Sequence, residues 1–239
     1  FNYDDSLPVQ KFSICILKQT MEHPALDPEI KNTIQLLADR LNNDGHKVSL
    51  VEFELLPYIV PAYYVLTTGE ASSNLARYDG VRYGHRSLQQ ADNLTEFYKQ
   101  NRSEGFGIEV KRRIMLGTFV LSSGFFDEYF NKAQKIRRML KDKVNEIFSS
   151  HDIVLMPTSP VTAFPIGESE KDPVAMYLAD IYTVFANLTG IPAISVPLFS
   201  HSDNMPFSAQ IMSNKGDELI LLQVSNMLMR DYKVNRTNN

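Results

Sequence analysis

An α/β fold built on a mixed sheet is the class this sequence predicts, and three observations carry it. Residues 11–17 are a short apolar, β-branched run; Asp27, Pro28 and Glu29 then open an amphipathic helix; residues 47–53 form a second strand-like run. Strand, helix and strand within roughly 40 residues make a βαβ unit. Its parallel pairing needs a crossover, and such crossovers are overwhelmingly right-handed.

The first helix carries its own boundaries. Asp27 caps it, Pro28 takes the first helical position, and Ile30, Ile34, Leu37 and Leu41 form its apolar stripe before Asp44 and Gly45 end it. Leu55–Ala76 reads as helical, entered through Pro57 or Pro61. It leads into residues 70–86, a polar, aromatic stretch punctuated by Gly80 and Gly84 that reads as a shaped loop held by Arg–Asp and Tyr hydrogen bonds. Leu94–Gln100 is a short helix. Ile108–Phe148 carries the strongest helical signal, as two helices broken near Ser122, Ser123 and Gly124, the second with a stripe at Ala133, Ile136, Leu140, Val144 and Ile147.

His151–Met156 reads as a strand stopped by Pro157. A Thr/Ser/Pro loop runs on to Pro165, and Asp172 with Pro173 repeats the cap-then-proline helix start. That helix places Tyr177, Ile181, Val184 and Leu188 on one face and ends at Gly190–Pro192. Ile194–Leu198 and Phe207–Met212 are strands, joined as a hairpin across His201–Asn204. A last helix spans Asp217–Met229, ahead of an Asn-rich tail expected to fray.

Composition excludes several classes. With 44% hydrophobic and 22% charged residues over 239 positions, the chain buries an ordinary core. A net charge of −4 argues against wholesale nucleic-acid or membrane-surface binding. Cys15 is the single cysteine, so there is no disulfide framework and a reducing compartment fits. No apolar run approaches the roughly 18 residues a membrane span needs. The five histidines lack metal-ligand spacing and no Gly-rich phosphate loop appears. The first residue is Phe1 rather than Met, from which a processed, trimmed or partial chain is expected.

Three features invite chemistry. The paired Ser122 and Ser123 resemble a nucleophile pair, but their helical context favours a helix break with hydroxyls bonded to the backbone. The basic run Lys132, Lys135, Arg137, Arg138, Lys141 and Lys143 reads as a solvated helix face, with an RNA or subunit contact as the lesser reading. The third is a pair of charges. Ile114, Gly117, Thr118 and Leu121 mark a packed face, so an arginine of the Arg112–Arg113 pair is expected to point inward and to need a carboxylate. Asp180 lies among apolar residues, where an unpaired carboxylate is expensive. The two either pair with each other or face one zwitterion, Arg on its carboxylate and Asp on its ammonium.

At this point whole stretches carry a resemblance. Glu70–Gly84, Ser103–Thr118, Asp172–Tyr177 and Asn187–Pro197 resemble the A subunits of glutamyl-tRNA(Gln) amidotransferases, members of the amidase signature family, and the likeness runs over residues 10–230. Two departures stand out: Met205–Met212 replaces a glycine-richer family version, and Phe185 stands where the family usually has proline. The resemblance implies an amidase-signature fold, its C-terminal part, in which residues 1–239 belong to a single domain. It implies a glutaminase subunit that hydrolyses glutamine through a Ser–Ser–Lys triad and passes ammonia to a B subunit. That partner uses ATP and magnesium to amidate glutamate on Glu-tRNA(Gln), and a small C subunit braces the pair in a heterotrimer. The family's Gly/Ser-rich signature and catalytic lysine have no counterpart in this sequence, so the chain is expected to be a C-terminal portion without the triad, inactive alone and binding no cofactor of its own.

What the resemblance does carry over is substrate recognition: Arg113 on the glutamine α-carboxylate, Asp180 on its α-ammonium, and Tyr64 in the pocket wall. A cytoplasmic or organellar-matrix setting follows from the same likeness. A homodimer covering surface left open by the missing half is a further expectation. Two other readings compete: another amidase-signature hydrolase acting on simple amides, and a non-catalytic docking fragment for the B subunit.

Overall fold

In a computed structural model of the protein, residues 11–167 and 179–233 are described. The chain divides into two compact units, one formed by the chain up to Val60 and from Arg137 onward, the other by Pro61–Ile136.

The first unit is built on a five-stranded mixed sheet in the order β2–β1–β3–β5–β4. The strands are β1 (Ser13–Leu17), β2 (Lys47–Val51), β3 (Ile153–Pro157), β4 (Ala193–Ser200) and β5 (Pro206–Ser213). β1 pairs in parallel with β2 and with β3, so Ile14 lies beside both Val48 and Ile153. β5 then runs antiparallel to β3 and to β4. β3 is central and buried at every position, as a continuous apolar run requires, whereas the edge strand β2 is partly open. β4, the other edge, slips register between Val196 and Phe199, across Pro197, which has no N–H to give the ladder.

Around this sheet, the helical turn α1 (Lys18–Met21) follows β1 directly, and α2 (Pro28–Asn43) makes the crossover to β2. The Asp27 carboxylate accepts hydrogen bonds from the backbone N–H of Glu29 at 2.7 Å and of Ile30 at 3.2 Å. It is the N-cap the sequence specified. Ile30, Ile34, Leu37 and Leu41 are all buried. β4 and β5 form the expected hairpin, and Gly190 ends the preceding helix α7 (Thr183–Thr189).

The helix expected from Asp172 begins outside the described residues, as does Tyr177. Its described part differs from expectation: residues 180–182 are a turn, and α7 starts only at Thr183. Tyr182 anchors this turn. Its ring is fully buried, its hydroxyl donates to the Thr20 carbonyl at 2.8 Å, and its own carbonyl accepts from Gln210. The last helix among the described residues is α8 (Glu218–Asp231).

The second unit carries α3 (Leu56–Asn74) from Pro61 onward, a 3₁₀ turn at Leu75–Arg77, α4 (Leu94–Gly105), α5 (Ile108–Val120) and the start of α6 (Lys132–Phe148). The break near Ser122–Gly124 is present, and a π-helical segment, Phe126–Asn131, leads into α6. A wider turn is costly in backbone bonding. Here it sets Phe126 on Phe130 in a stack at 5.3 Å, and Phe125 against Phe119 at 4.2 Å.

Candidate functional site

Arg113 lies in the middle of α5, one turn after Glu109, and its Nε donates to Glu109 Oε1 at 3.0 Å. Glu109 also takes a bond from Arg112, so one carboxylate serves both arginines. The Arg113 guanidinium carbon lies 5.8 Å from the centre of the Tyr64 ring, within cation–π range. Tyr64 in turn meets Tyr63 edge-on at 5.4 Å. These contacts hold the Arg113 side chain half-buried, 38% exposed. The hydrogen bond to Glu109 raises its pKa further, against the pull of burial, and the same bond holds the Glu109 carboxyl below its ordinary range.

Gly117 explains how α5 comes so near α3. A Cβ at this position would fall 2.0 Å from the Thr68 carbonyl oxygen and 2.7 Å from Ser72 Cβ. Only a residue without a side chain permits that approach. Arg113 stands one turn before Gly117, and Tyr64 one turn before Thr68. The helices therefore keep step, and the close crossing one turn away brings guanidinium and ring together.

Of the stretch 70–86, residues 70–77 belong to α3 and the 3₁₀ turn and only 78–86 are a shaped loop, whose fasteners come from α4 rather than from its own Arg–Asp pairs. Asn101 is buried; its Oδ1 accepts from Ser87 N–H at 2.7 Å and its Nδ2 donates to the Asp79 carbonyl at 2.9 Å. Arg102 donates to the Leu75 carbonyl, and Glu104 accepts from Ser87 and contacts His85. Gly80 has φ +82°, and a Cβ there would run into the Asn101 amide at 2.2 Å. The loop closes over Asn101 because nothing larger than hydrogen lies between.

Asp180 belongs to the other unit and is exposed, at the turn ahead of α7, where its carbonyl accepts from Val184 N–H. The inward, mid-helix placement expected for it is therefore corrected. Ile181 and Tyr182 take the buried positions, and Asp180 is left outward. The carboxylate that Arg113 needs is likewise supplied locally, by Glu109. Sequence reasoning missed Glu109, although its i, i+4 spacing to Arg113 is the signal that finds it.

The other candidates resolve into structure. Ser122 Oγ donates to the Phe119 carbonyl at 2.7 Å, a helix-end bond. On α6, Lys132, Lys135, Arg138 and Lys141 are exposed, while Arg137 turns in to bond the Leu188 carbonyl at 2.9 Å. The Cys15 thiol is buried, and burial pushes its pKa up to about 12, so it is no nucleophile. Among the described residues no group of His, Cys, Asp and Glu is arranged to hold a metal ion, and no helix is long and apolar enough to cross a membrane.

Residues 7–222 match the family model described as Amidase. The chain belongs to the amidase family. Within it, this amidase-family chain is 44% identical over 225 residues to the A subunit of the glutamyl-tRNA(Gln) amidotransferase of Koribacter versatilis, covering 93% of this chain and 46% of that protein. It is 50% identical over 200 residues to the corresponding A subunit from Brevibacillus brevis, covering 84% and 41% respectively. Among solved structures, the glutamyl-tRNA(Gln) amidotransferase A subunit from Thermotoga maritima superimposes with a TM-score of 0.70 at 35% identity, over 94% of this chain and 43% of that one. A 6-aminohexanoate cyclic dimer hydrolase superimposes with a TM-score of 0.72 at 21% identity, a likeness of fold alone. The amidase-family chain thus spans less than half the length of the relatives it matches.

Proposed function

We propose that this amidase-family chain is the glutamine-recognising portion of the A subunit of a glutamyl-tRNA(Gln) amidotransferase. In this reading Arg113 takes the α-carboxylate of glutamine, Asp180 the α-ammonium, and Tyr64 lines the pocket beside Arg113. The Ser–Ser–Lys machinery of the resemblance is assigned to no residue of this chain. ATP and magnesium belong to the B subunit, which receives the ammonia and amidates Glu-tRNA(Gln) beside a C subunit.

The observation that supports this reading most directly is the Arg113 side chain. Glu109 engages its Nε and the Tyr64 ring lies by its guanidinium carbon. A guanidinium fixed at Nε presents its remaining N–H groups as a planar fork, the geometry that suits a carboxylate. Asp180, exposed on a turn anchored by Tyr182, suits a cation that arrives from solvent. Charged bonds at both ends of an amino acid discriminate against simple amides, which leave those groups unpaired.

The test is Arg113→Ala and Asp180→Ala in the full-length protein. A rise in KM for glutamine, with hydrolysis of a simple amide unchanged, is the expected outcome. An unaltered glutamine KM rejects the assignment, and equal losses on both substrates favour a general amide hydrolase. This chain alone is expected to show no glutaminase turnover, which an ammonia-release assay on the purified chain checks.

A further inference from the structure

His201 opens the turn between β4 and β5. Its ring is 14% exposed, and it is surrounded by carboxylates from two directions. Nδ1 lies 3.0 Å from Asp203 Oδ1 within the turn, while Nε2 lies 3.2 Å from Glu29 Oε2 and 3.4 Å from Asp27 Oδ1 at the start of α2. From β5, the Phe207 ring meets the imidazole edge-on at 6.4 Å. Backbone bonds run the same way: Ser202 N–H donates to Glu29 at 2.8 Å, and Met205 N–H to Asp203 at 2.9 Å. Thr162, from the loop after β3, donates to Asp203 Oδ2 at 3.1 Å.

Both ring nitrogens lie within 3.4 Å of a carboxylate oxygen, and Nδ1 also accepts from the Asp203 backbone N–H at 3.3 Å when the ring is neutral. Only the protonated ring gives an N–H to the carboxylates on both sides at once, one to Asp203 and the other shared between Glu29 and Asp27. We propose that His201, Asp203, Glu29 and Asp27 form a protonation-dependent staple that fastens the β4–β5 turn to the N-terminus of α2. Loss of the proton removes one N–H and leaves three carboxylates converging on an uncharged ring, where they repel one another. Asp27 is the N-cap of α2 and Asp203 orders the turn, so both ends of the staple are fixed before the proton arrives.

Burial of the ring works to lower the His201 pKa, but the bond to Asp203 and the charges of Asp203, Glu29 and Asp27 outweigh it, and the net shift is upward. The sign follows from linkage. A histidine whose folded-state pKa is raised stabilises the fold fully below its unfolded value of 6.5, and that stabilisation fades as pH rises through the folded value. The staple is therefore closed on the acid side and open on the alkaline side, in the range where histidine is the natural switch.

Two measurements on the 239-residue chain test this. Thermal melts by circular dichroism from about pH 5.5 to about pH 8.5 compare wild type with His201→Gln, which keeps a polar side chain but cannot take the proton. The wild-type advantage in Tm is expected at the acid end and lost at the alkaline end. An NMR titration of the His201 ring is expected to give a midpoint above 6.5 that falls toward 6.5 in Asp203→Asn. A midpoint at or below 6.5 in wild type, or a Tm difference independent of pH, overturns the proposal. Should His201→Gln fail to fold, the titration of wild type and Asp203→Asn still decides it.

Discussion

Arg113 and Glu109 face each other one turn apart on α5, Nε to Oε1 at 3.0 Å, with the Tyr64 ring beside the guanidinium. The carboxylate sets where the arginine can reach. Glu109→Gln keeps the hydrogen bond and removes the charge, a loss of about 1 kcal/mol or less for a pair this exposed. In the full-length protein the glutamine KM is therefore expected to rise by about fivefold at most. Arg113→Ala, which removes a charged hydrogen-bond donor outright, is expected to raise it by about tenfold or more. Steady-state kinetics on both variants check the order; a larger effect at Glu109 than at Arg113 contradicts it.

The same pair predicts an acid limb. The Arg113 bond depresses the folded-state pKa of Glu109 below its ordinary 4.5. Its stabilisation is thus present above 4.5 and lost as pH falls through the lower folded value. Wild type and Glu109→Gln are expected to differ in Tm at neutral pH and to converge in acid, as thermal melts across that range read out.

Gly117→Ala places a methyl 2.0 Å from the Thr68 carbonyl oxygen. Backbone does not yield as a side-chain tip does, so α3 and α5 must part. A loss of about 1–3 kcal/mol in chemical denaturation is expected, the usual size of an overpacked contact. Gly124→Ala is the control, since a Cβ there has nothing within 4 Å.

Asn101→Ala leaves the Ser87 N–H and the Asp79 carbonyl without their partner. Each buried group left unpaired costs about 1–3 kcal/mol. Residues 78–93 are expected to become protease-sensitive while the sheet of the first unit keeps its protection, which limited proteolysis with mass spectrometry resolves.

Most of the fold was legible in the sequence. Local rules dictate their own outcomes: Asp27 and Pro28 fix the start of α2, and its four-residue stripe is buried as drawn. The continuous apolar run of β3 announces a central strand. What stayed hidden depends on partners far along the chain. Asp180 reads as inward because its neighbours are apolar, yet residues 180–182 are a turn in which Tyr182 bonds Thr20, a contact no local window contains. The π-helical segment at Phe126–Asn131 comes with the Phe126–Phe130 stack, and an apolar periodicity of 3.6 encodes neither. At the candidate site, patterning points to one arginine of the Arg112–Arg113 pair and the family resemblance to Arg113, although Thr118 of the expected packed face is exposed; Asn101 carries no pattern at all. Its role exists only because Gly80 closes over it.

The order of strands predicts an order of assembly. β4 and β5 are neighbours in sequence and pair across a short turn, whereas Ile14 must find Ile153. Closing so long a loop costs chain entropy before any contact repays it. The hairpin is thus positioned to form early and to present β5 as a template for β3, with β1 and β2 joining last. Pulse-labelling hydrogen exchange during refolding is expected to protect the amides of Phe207–Met212 before those of Ile14–Leu17. The central strand is then the place where an early, local half of the sheet waits for a late, distant one.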